Sequence, residues 1–143
     1  VEQREIILTG RIKQYLSICG EHLSLDNINQ ALSFVCKKSK IEITEFTIYV
    51  NEETMRHHWF LGTNSEIDTK KIIEEIDQKL FEINDDYKCA RSINLKSPSL
   101  MALPVEKFYQ FLESKGKSGA QIKFPRVLNK EQSIDWLNFI ENL

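Results

Sequence analysis

The spacing of the apolar residues changes from a helical repeat to a strand repeat and back, and this pattern constrains the fold most strongly. The first segment repeats apolar side chains every three or four positions, at Leu25, Ile28, Leu32, Val35 and Cys36. This spacing places them on one face of a helix, for which Ser24 or Asp26 is available as the N-cap. We therefore predict an amphipathic helix that begins near Ser24.

A β-hairpin is predicted after this helix. Phe46, Ile48 and Val50 alternate with Thr47 and Tyr49, as in a strand with one buried face. A second strand-like run covers residues 57–61, after a short polar connection. Strands joined by so short a connection pair with each other, so we expect the two runs to be neighbours in one sheet.

The order of the predicted elements indicates the fold class. A second helix is predicted from Asp68, and an extended piece covers residues 99–103. Residues 13–103 therefore run strand, helix, strand, strand, helix, strand, which is the order of a ferredoxin-like split βαβ sheet with helices packed on it. Two additional C-terminal helices are predicted, one after Pro104 and one from Lys130, so the predicted fold class is α+β.

Composition and charge limit the function classes. The 143 residues are 41% hydrophobic and 28% charged with a net charge of -2, which suits one globular domain and indicates no nucleic-acid partner. No apolar run approaches the roughly 20 residues that cross a bilayer, and the charged N-terminus does not resemble a signal peptide. Cys19, Cys36 and Cys89 have neither disulfide nor zinc-site spacing. We expect a cytoplasmic protein with free thiols and no membrane contact.

Residues 116–126 form a basic segment between the two last predicted helices. Gly116 and Gly119 favour a loop, and no acidic residue lies within the segment. Its cationic residues are Lys117, Lys123 and Arg126. A basic loop of this kind is suited to bind a phosphate or a carboxylate.

Two other motifs are weaker candidates. The run Gly116-Lys117-Ser118 resembles the end of a phosphate-binding P-loop, but that motif requires glycine where this chain has Phe111. His57 and His58 are adjacent on a predicted strand, so their side chains point to opposite faces and cannot bind one metal ion. We therefore predict no metal site and two structural histidines.

Residues 10–28 resemble the hinge segment that opens the small C-terminal domain of adenylate-forming enzymes, a superfamily that includes acyl-CoA synthetases and luciferases. The matched positions are Gly10, Arg11, Lys13, Leu16, Gly20, Leu23 and Ile28. The resemblance implies that Arg11 approaches the nucleotide. It also implies that Lys13 is the hinge residue about which the small domain rotates between half-reactions.

Residues 108–127 resemble the C-terminal part of the acyl-acid amido synthetases, the auxin-responsive family whose plant members conjugate auxin or jasmonate to amino acids. The matched positions are Gly116, Gln121, Lys123, Pro125 and Arg126. This resemblance implies that residues 1–143 are the C-terminal lid domain of a larger enzyme. An N-terminal adenylation domain would then bind most of the ATP and Mg²⁺.

The activity that both resemblances imply is that of an ATP-dependent ligase. Such an enzyme activates a small carboxylic acid as acyl-AMP and transfers it to an amine, with Lys123 as the catalytic cation and Arg126 as a nucleotide contact. Lys117 remains an alternative to Lys123, and the product is either an amide or a thioester. A second hypothesis is a free-standing ferredoxin-like module that binds a small molecule or dimerises through its sheet.

Overall fold

The computed structural model describes residues 15–117 and 123–141. These residues form a four-stranded sheet, a separate two-stranded ladder and helices packed around them. The strands are β1 (Tyr15–Leu16), β2 (Leu23–Ser24), β3 (Glu45–Asn51), β4 (Arg56–Gly62), β5 (Ser99–Leu103) and β6 (Val127–Leu128). The helices are α1 (Leu25–Ser39), α2 (Thr69–Ile83), α3 (Asp85–Ile93), α4 (Val105–Ser114) and α5 (Lys130–Glu141).

The main sheet has the strand order β5-β4-β3-β6. β3 and β4 form the predicted hairpin, in which Ile48 is paired with Trp59. β5 lies parallel to β4, and β6 lies parallel to β3. The α+β class, the helices on the sheet and the two C-terminal helices are confirmed, while the strand connectivity differs from that of a split βαβ sheet.

The difference in connectivity arises at the two ends of the predicted strand order. β1 pairs with β2 in a ladder of its own and does not join the main sheet. The edge of the sheet beside β3 is filled by β6 instead. The two residues of β6, Val127 and Leu128, are too short a run to show the alternation of a strand, so the sequence does not predict them.

Side-chain caps explain where α1, α2 and α3 begin. Ser24 is the N-cap of α1 and forms a capping box with Asn27, and Asp68 caps α2. Asn84 ends α2 and also caps the start of α3 by accepting a hydrogen bond from the backbone N–H of Tyr87. The sequence pattern does not predict α3, because a residue that stops one helix can also start the next.

The two faces of the main sheet carry separate cores, because successive strand residues point to opposite sides. Trp59 and Leu61 of β4 belong to the core beneath α1, α2 and α3. Phe60, which lies between them, packs on the other face against α4 and α5. The aromatic cluster on this second face consists of Phe60, Phe108, Phe111, Phe124 and Trp136.

The described part of the hinge-like segment is built from core contacts. Leu16, Leu23 and Ile28 are all buried. Gly20 has a φ of 92°, a backbone conformation that favours glycine. The matched spacing in this part of the segment therefore reflects packing and a turn.

A buried polar pair holds the bend between β1 and β2 to the main sheet. The carboxylate of Glu21 accepts hydrogen bonds from the backbone N–H groups of Ile18 and Cys19, at 2.8 and 2.9 Å. It also lies 2.7 Å from Nε2 of His57 on β4. The side chains of His57 and Glu21 are 1% and 0% exposed, so His57 is structural, as predicted.

The surroundings of Glu21 determine its charge. Burial alone would raise the pKa of this carboxyl group, but the hydrogen bonds from His57 and from nearby backbone N–H groups outweigh burial and lower the pKa from 4.5 to about 2. Since the folded-state pKa is lowered, the ionised carboxylate of Glu21 stabilises the fold above about pH 4.5. That stabilisation is lost as the pH falls towards 2.

We expect Glu21→Gln to lower the free energy of unfolding by about 3 kcal/mol at neutral pH, the value of a shift of this size. The difference between the variant and the unmodified chain should shrink as the pH falls from 4.5 towards 2. Urea unfolding at a series of pH values measures it, with the exposed Glu106→Gln as the control. A difference that stays constant with pH would contradict a charged Glu21.

Candidate functional site

The basic segment leaves the end of α4 through a left-handed turn. Gly116 has a φ of 74°, and its N–H donates to the carbonyl of Glu113. The N–H of Lys117 donates to the carbonyl of Leu112, which closes the helix end. The side chain of Lys117 is exposed, and residues 118–122 lie outside the described part of the chain.

Lys123 and Phe124 have opposite environments although they are neighbours. Lys123 is exposed, whereas Phe124 is 2% exposed. The ring centroid of Phe124 lies 5.0 Å from those of both Phe108 and Trp136. The aromatic cluster therefore holds the backbone next to Lys123 in place and leaves the ammonium group in solvent.

The segment that follows Lys123 is attached to β3. Residues 125–128, which we call the loop root, take the place of an edge strand. The hydroxyl of Thr47 donates to the carbonyl of Pro125 at 2.7 Å, and the N–H of Ile48 donates to the carbonyl of Arg126 at 2.9 Å. Thr47 and Ile48 are both fully buried, so water competes little for these bonds.

Arg126 is paired with an acidic residue from a distant part of the chain. Its Nη1 donates to Oε1 of Glu45 at 2.7 Å and to the carbonyl of Phe46 at 3.0 Å. The guanidinium also lies over the Phe46 ring, 4.5 Å from its centroid. Although the basic segment contains no acidic residue, Glu45 of β3 thus neutralises one of its three cations.

Glu45 has a second partner on the helix that precedes the basic segment. The hydroxyl of Tyr109 on α4 donates to Oε2 of Glu45 at 3.3 Å. Partial desolvation, and then the charge and hydrogen bond of Glu45, raise the pKa of Tyr109. One carboxylate therefore contacts both the element that enters the segment and the element that leaves it.

The structure locates three of the five candidate residues. Lys117 and Lys123 are exposed and suited to meet an anion, whereas Arg126 is partly buried and paired. Arg11 and Lys13 lie outside the described residues. The choice between Lys117 and Lys123 remains open on exposure alone, but only Lys123 is directly followed by the buried Phe124 and the loop root.

His58, the second candidate histidine, lies in a cross-strand contact. Its Nδ1 lies 2.5 Å from the hydroxyl of Ser99 on β5. Its ring stacks on Tyr49, with a centroid distance of 5.3 Å. Desolvation, and then the charges of Arg56 and His57, lower the pKa of His58, so it is neutral at neutral pH. These contacts give His58 a structural role.

A cleft of about 460 Å³ lies at the other end of β6. It is lined by residues at the ends of β3 and β6, by the start of α5, and by Leu16 and Ser17. Neither Lys123 nor Arg126 contributes to it. Val127 and Leu128, which directly follow Arg126, do line it.

The described residues fit a phosphate better than a metal ion. Exposed lysines are suitable partners for phosphate oxygens. Within residues 15–117 and 123–141, no group of three or more His, Cys, Asp or Glu side chains is arranged to hold a metal. None of the helices in that part of the chain combines the length and apolar character needed to cross a membrane.

The sequence matches the profile of the GH3 family C-terminal domain over residues 26–132. The chain belongs to the GH3 family. The resemblance of residues 108–127 to the acyl-acid amido synthetases is thereby confirmed at the level of the family. No curated protein sequence gives a significant match.

Two solved structures share the fold of this GH3 domain. One is a GH3.15 acyl acid amido synthetase, with a TM-score of 0.67 and 18% identity. The other is AtGH3.15 acyl acid amido synthetase in complex with 2,4-DB, with a TM-score of 0.65 and 20% identity. Each match covers 90% of this chain and 25% of the other, so this chain spans about a quarter of the length of those structures.

The residues that hold the loop root were not predicted from the sequence. Thr47 stands between Phe46 and Ile48, where it fits the exposed parity of a strand, yet it is 0% exposed. Glu45 pairs with a residue 81 positions away. No local sequence pattern reveals a contact between residues so far apart. Once helices are known to cover both faces of the sheet, however, a polar residue such as Thr47 on β3 indicates a buried hydrogen bond.

Substitutions at the neighbouring residues Lys123 and Phe124 should reveal their different environments. We expect Phe124→Ala to lower the free energy of unfolding by about 3–5 kcal/mol, because it empties a site in the aromatic cluster. Lys123→Ala should change it by no more than about 0.5 kcal/mol, because the side chain is exposed. Chemical denaturation measures both. A large loss of stability in Lys123→Ala would show that this lysine is structural.

Proposed function

We propose that this chain is the C-terminal lid domain of an ATP-dependent ligase that activates a carboxylic acid as acyl-AMP and transfers the acyl group to an amine, such as an amino acid. The observation that carries the proposal is the exposed Lys123 beside a loop root fixed on β3. Membership of the GH3 family and the solved acyl acid amido synthetases support the reaction class. An enzyme of this kind is expected in the cytoplasm.

The first half-reaction explains why a positioned cation is required. The carboxylate of the acid attacks the α-phosphorus of ATP, a bond to pyrophosphate breaks, and acyl-AMP forms. Negative charge grows on the phosphoryl oxygens as the new bond forms. A positioned ammonium group stabilises that charge, and we assign this catalytic role to Lys123.

The second half-reaction explains why the cation should be carried on a lid. The amine attacks the acyl carbon, the bond to the phosphate oxygen breaks, and AMP leaves. The acceptor must reach the site that the lid covers in the first step, so the lid has to move between the two steps. We propose Lys13 as the hinge for this rotation.

Arg126 and Arg11 are the proposed nucleotide contacts. Both described hydrogen bonds of Arg126 use Nη1, so Nη2 and Nε can donate to a phosphate without breaking the pair with Glu45. Arg11 is assigned from the resemblance of residues 10–28. Mg²⁺ would supply charge neutralisation on the phosphates, and its ligands are expected in the N-terminal domain.

The proposal requires a partner domain. The acid pocket and most of the ATP site would belong to an N-terminal adenylation domain, so this chain alone is expected to be inactive. The identity of the acid and of the amine depends on that domain. The amide product is favoured over a thioester by the GH3 family match.

In the complete enzyme, Lys123→Ala should slow carboxylate-dependent exchange of pyrophosphate into ATP by about 100-fold or more, because a charge contact made in the transition state is removed. Lys117→Ala is the matched control, since it removes the other exposed lysine of the segment, and it should retain most of the activity. Steady-state exchange rates at saturating acid measure both variants.

Two results would contradict the assignment. Exchange that is unchanged in Lys123→Ala would remove Lys123 from the catalytic role. Loss of exchange in Lys117→Ala with full activity in Lys123→Ala would transfer that role to Lys117.

A further inference from the structure

We propose that Glu45 is a positioning residue for Lys123, because its carboxylate ties the helix that enters the basic segment to the strand that leaves it. The inference rests on the proposed function of Lys123. Glu45 acts through Arg126 and Tyr109 and is not assigned a contact with substrate.

The geometry of Glu45 is that of a bridge. Oε1 accepts a hydrogen bond from Arg126 at 2.7 Å, and Oε2 accepts one from Tyr109 at 3.3 Å. Tyr109 lies on α4, before the segment, and Arg126 lies in the loop root, after it. The two ends of the segment are therefore fixed relative to each other by one side chain of β3.

The packing around Glu45 sets the direction of its side chain. A Cβ atom placed on Gly62 would lie 3.1 Å from Cβ of Glu45 and 2.9 Å from the ring of Phe108. Only glycine leaves room at this point of β4, so the stem of Glu45 lies against Gly62 on the sheet face that α4 covers. The carboxylate can reach Arg126 and Tyr109 because its stem is held there.

The ion pair between Glu45 and Arg126 is largely shielded from solvent. The side chains of Arg126 and Glu45 are 28% and 16% exposed, and the Phe46 ring covers one face of the guanidinium. An ion pair with such restricted access to water is screened less than a surface pair. Removing the carboxylate leaves the guanidinium with the Phe46 carbonyl and that ring as its described partners.

The chain between Arg126 and Lys123 is short. Three residues of extended chain span at most about 11 Å, and the intervening Phe124 is fixed in the aromatic cluster. The loop root and Phe124 together therefore set the point from which Lys123 extends, and loosening the root at Arg126 removes one of these two constraints. Misplacing a catalytic group by a small distance lowers the rate of the chemical step more than the affinity for substrate.

The test compares Glu45→Gln with Glu106→Gln in the complete protein. Glu106 is an exposed carboxylate on α4 and serves as the matched control. We expect Glu45→Gln to lower kcat for pyrophosphate exchange by about tenfold or more, with KM for ATP changed by less than about twofold. Tyr109→Phe, which removes one arm of the bridge without removing charge, should lower kcat by a smaller factor.

A second measurement does not depend on activity. The rate of trypsin cleavage after Arg126, followed by mass spectrometry under native conditions, should rise in Glu45→Gln relative to Glu106→Gln. Cleavage after Lys117 provides the internal reference, because that bond lies outside the bridged root and its rate should not change.

Each outcome decides the proposal. A lowered kcat with faster cleavage after Arg126 supports it. An unchanged kcat overturns it, even if cleavage is faster, because Glu45 would then hold the root without positioning Lys123. If the unmodified complete protein catalyses no exchange, the proposed function fails, and unchanged cleavage in Glu45→Gln would still overturn the bridge.

Discussion

The pairing of β3 on both of its edges is the constraint on which the rest of the structure depends. β4 lies against one edge and β6 against the other, while helices cover both faces of the sheet. β6 lacks the length to be a stable strand by itself, so it exists because Ile48 and Thr47 of β3 offer their N–H and hydroxyl groups to residues 125–126. The position of the loop root is thus a property of β3.

This arrangement explains how one segment combines a fixed and a free part. The aromatic cluster holds Phe124 and the pair with Glu45 holds Arg126, whereas Lys123 is exposed immediately before them. Gly116 allows the turn at the other end of the segment. A cation held in this way extends into solvent from a defined point, which suits the role that we propose for Lys123.

Much of the fold could be predicted because its signals are local. The N-cap Ser24, the alternation in β3 and the extended piece at Ser99–Leu103 all appear in the structure at the predicted places. The strand order could not be predicted, because it depends on whether β1 or β6 fills the edge beside β3. That choice is decided by contacts across about 80 residues of sequence, such as those of Thr47 and Glu45.

In the candidate site, too, the features with local sequence signals could be predicted and the long-range contacts could not. The resemblance of residues 108–127 pointed to Lys123 and Arg126, and the GH3 match confirms the family. The resemblance gives no indication that Arg126 is paired, because its acidic partner, Glu45, lies on a different element. In the structure, Glu45 therefore neutralises one of the three cations of the basic segment, Arg126, while Lys117 and Lys123 are exposed.

Native-state hydrogen exchange of the Ile48 amide tests the central claim that β3 holds the loop root. The N–H of Ile48 donates to the carbonyl of Arg126 and not to β4, so its protection from exchange reports the attachment of the loop root. We predict that it exchanges only through openings nearly as costly as global unfolding, like the inner amides of the β3–β4 ladder. Rapid exchange at Ile48 while those ladder amides remain protected would contradict the account.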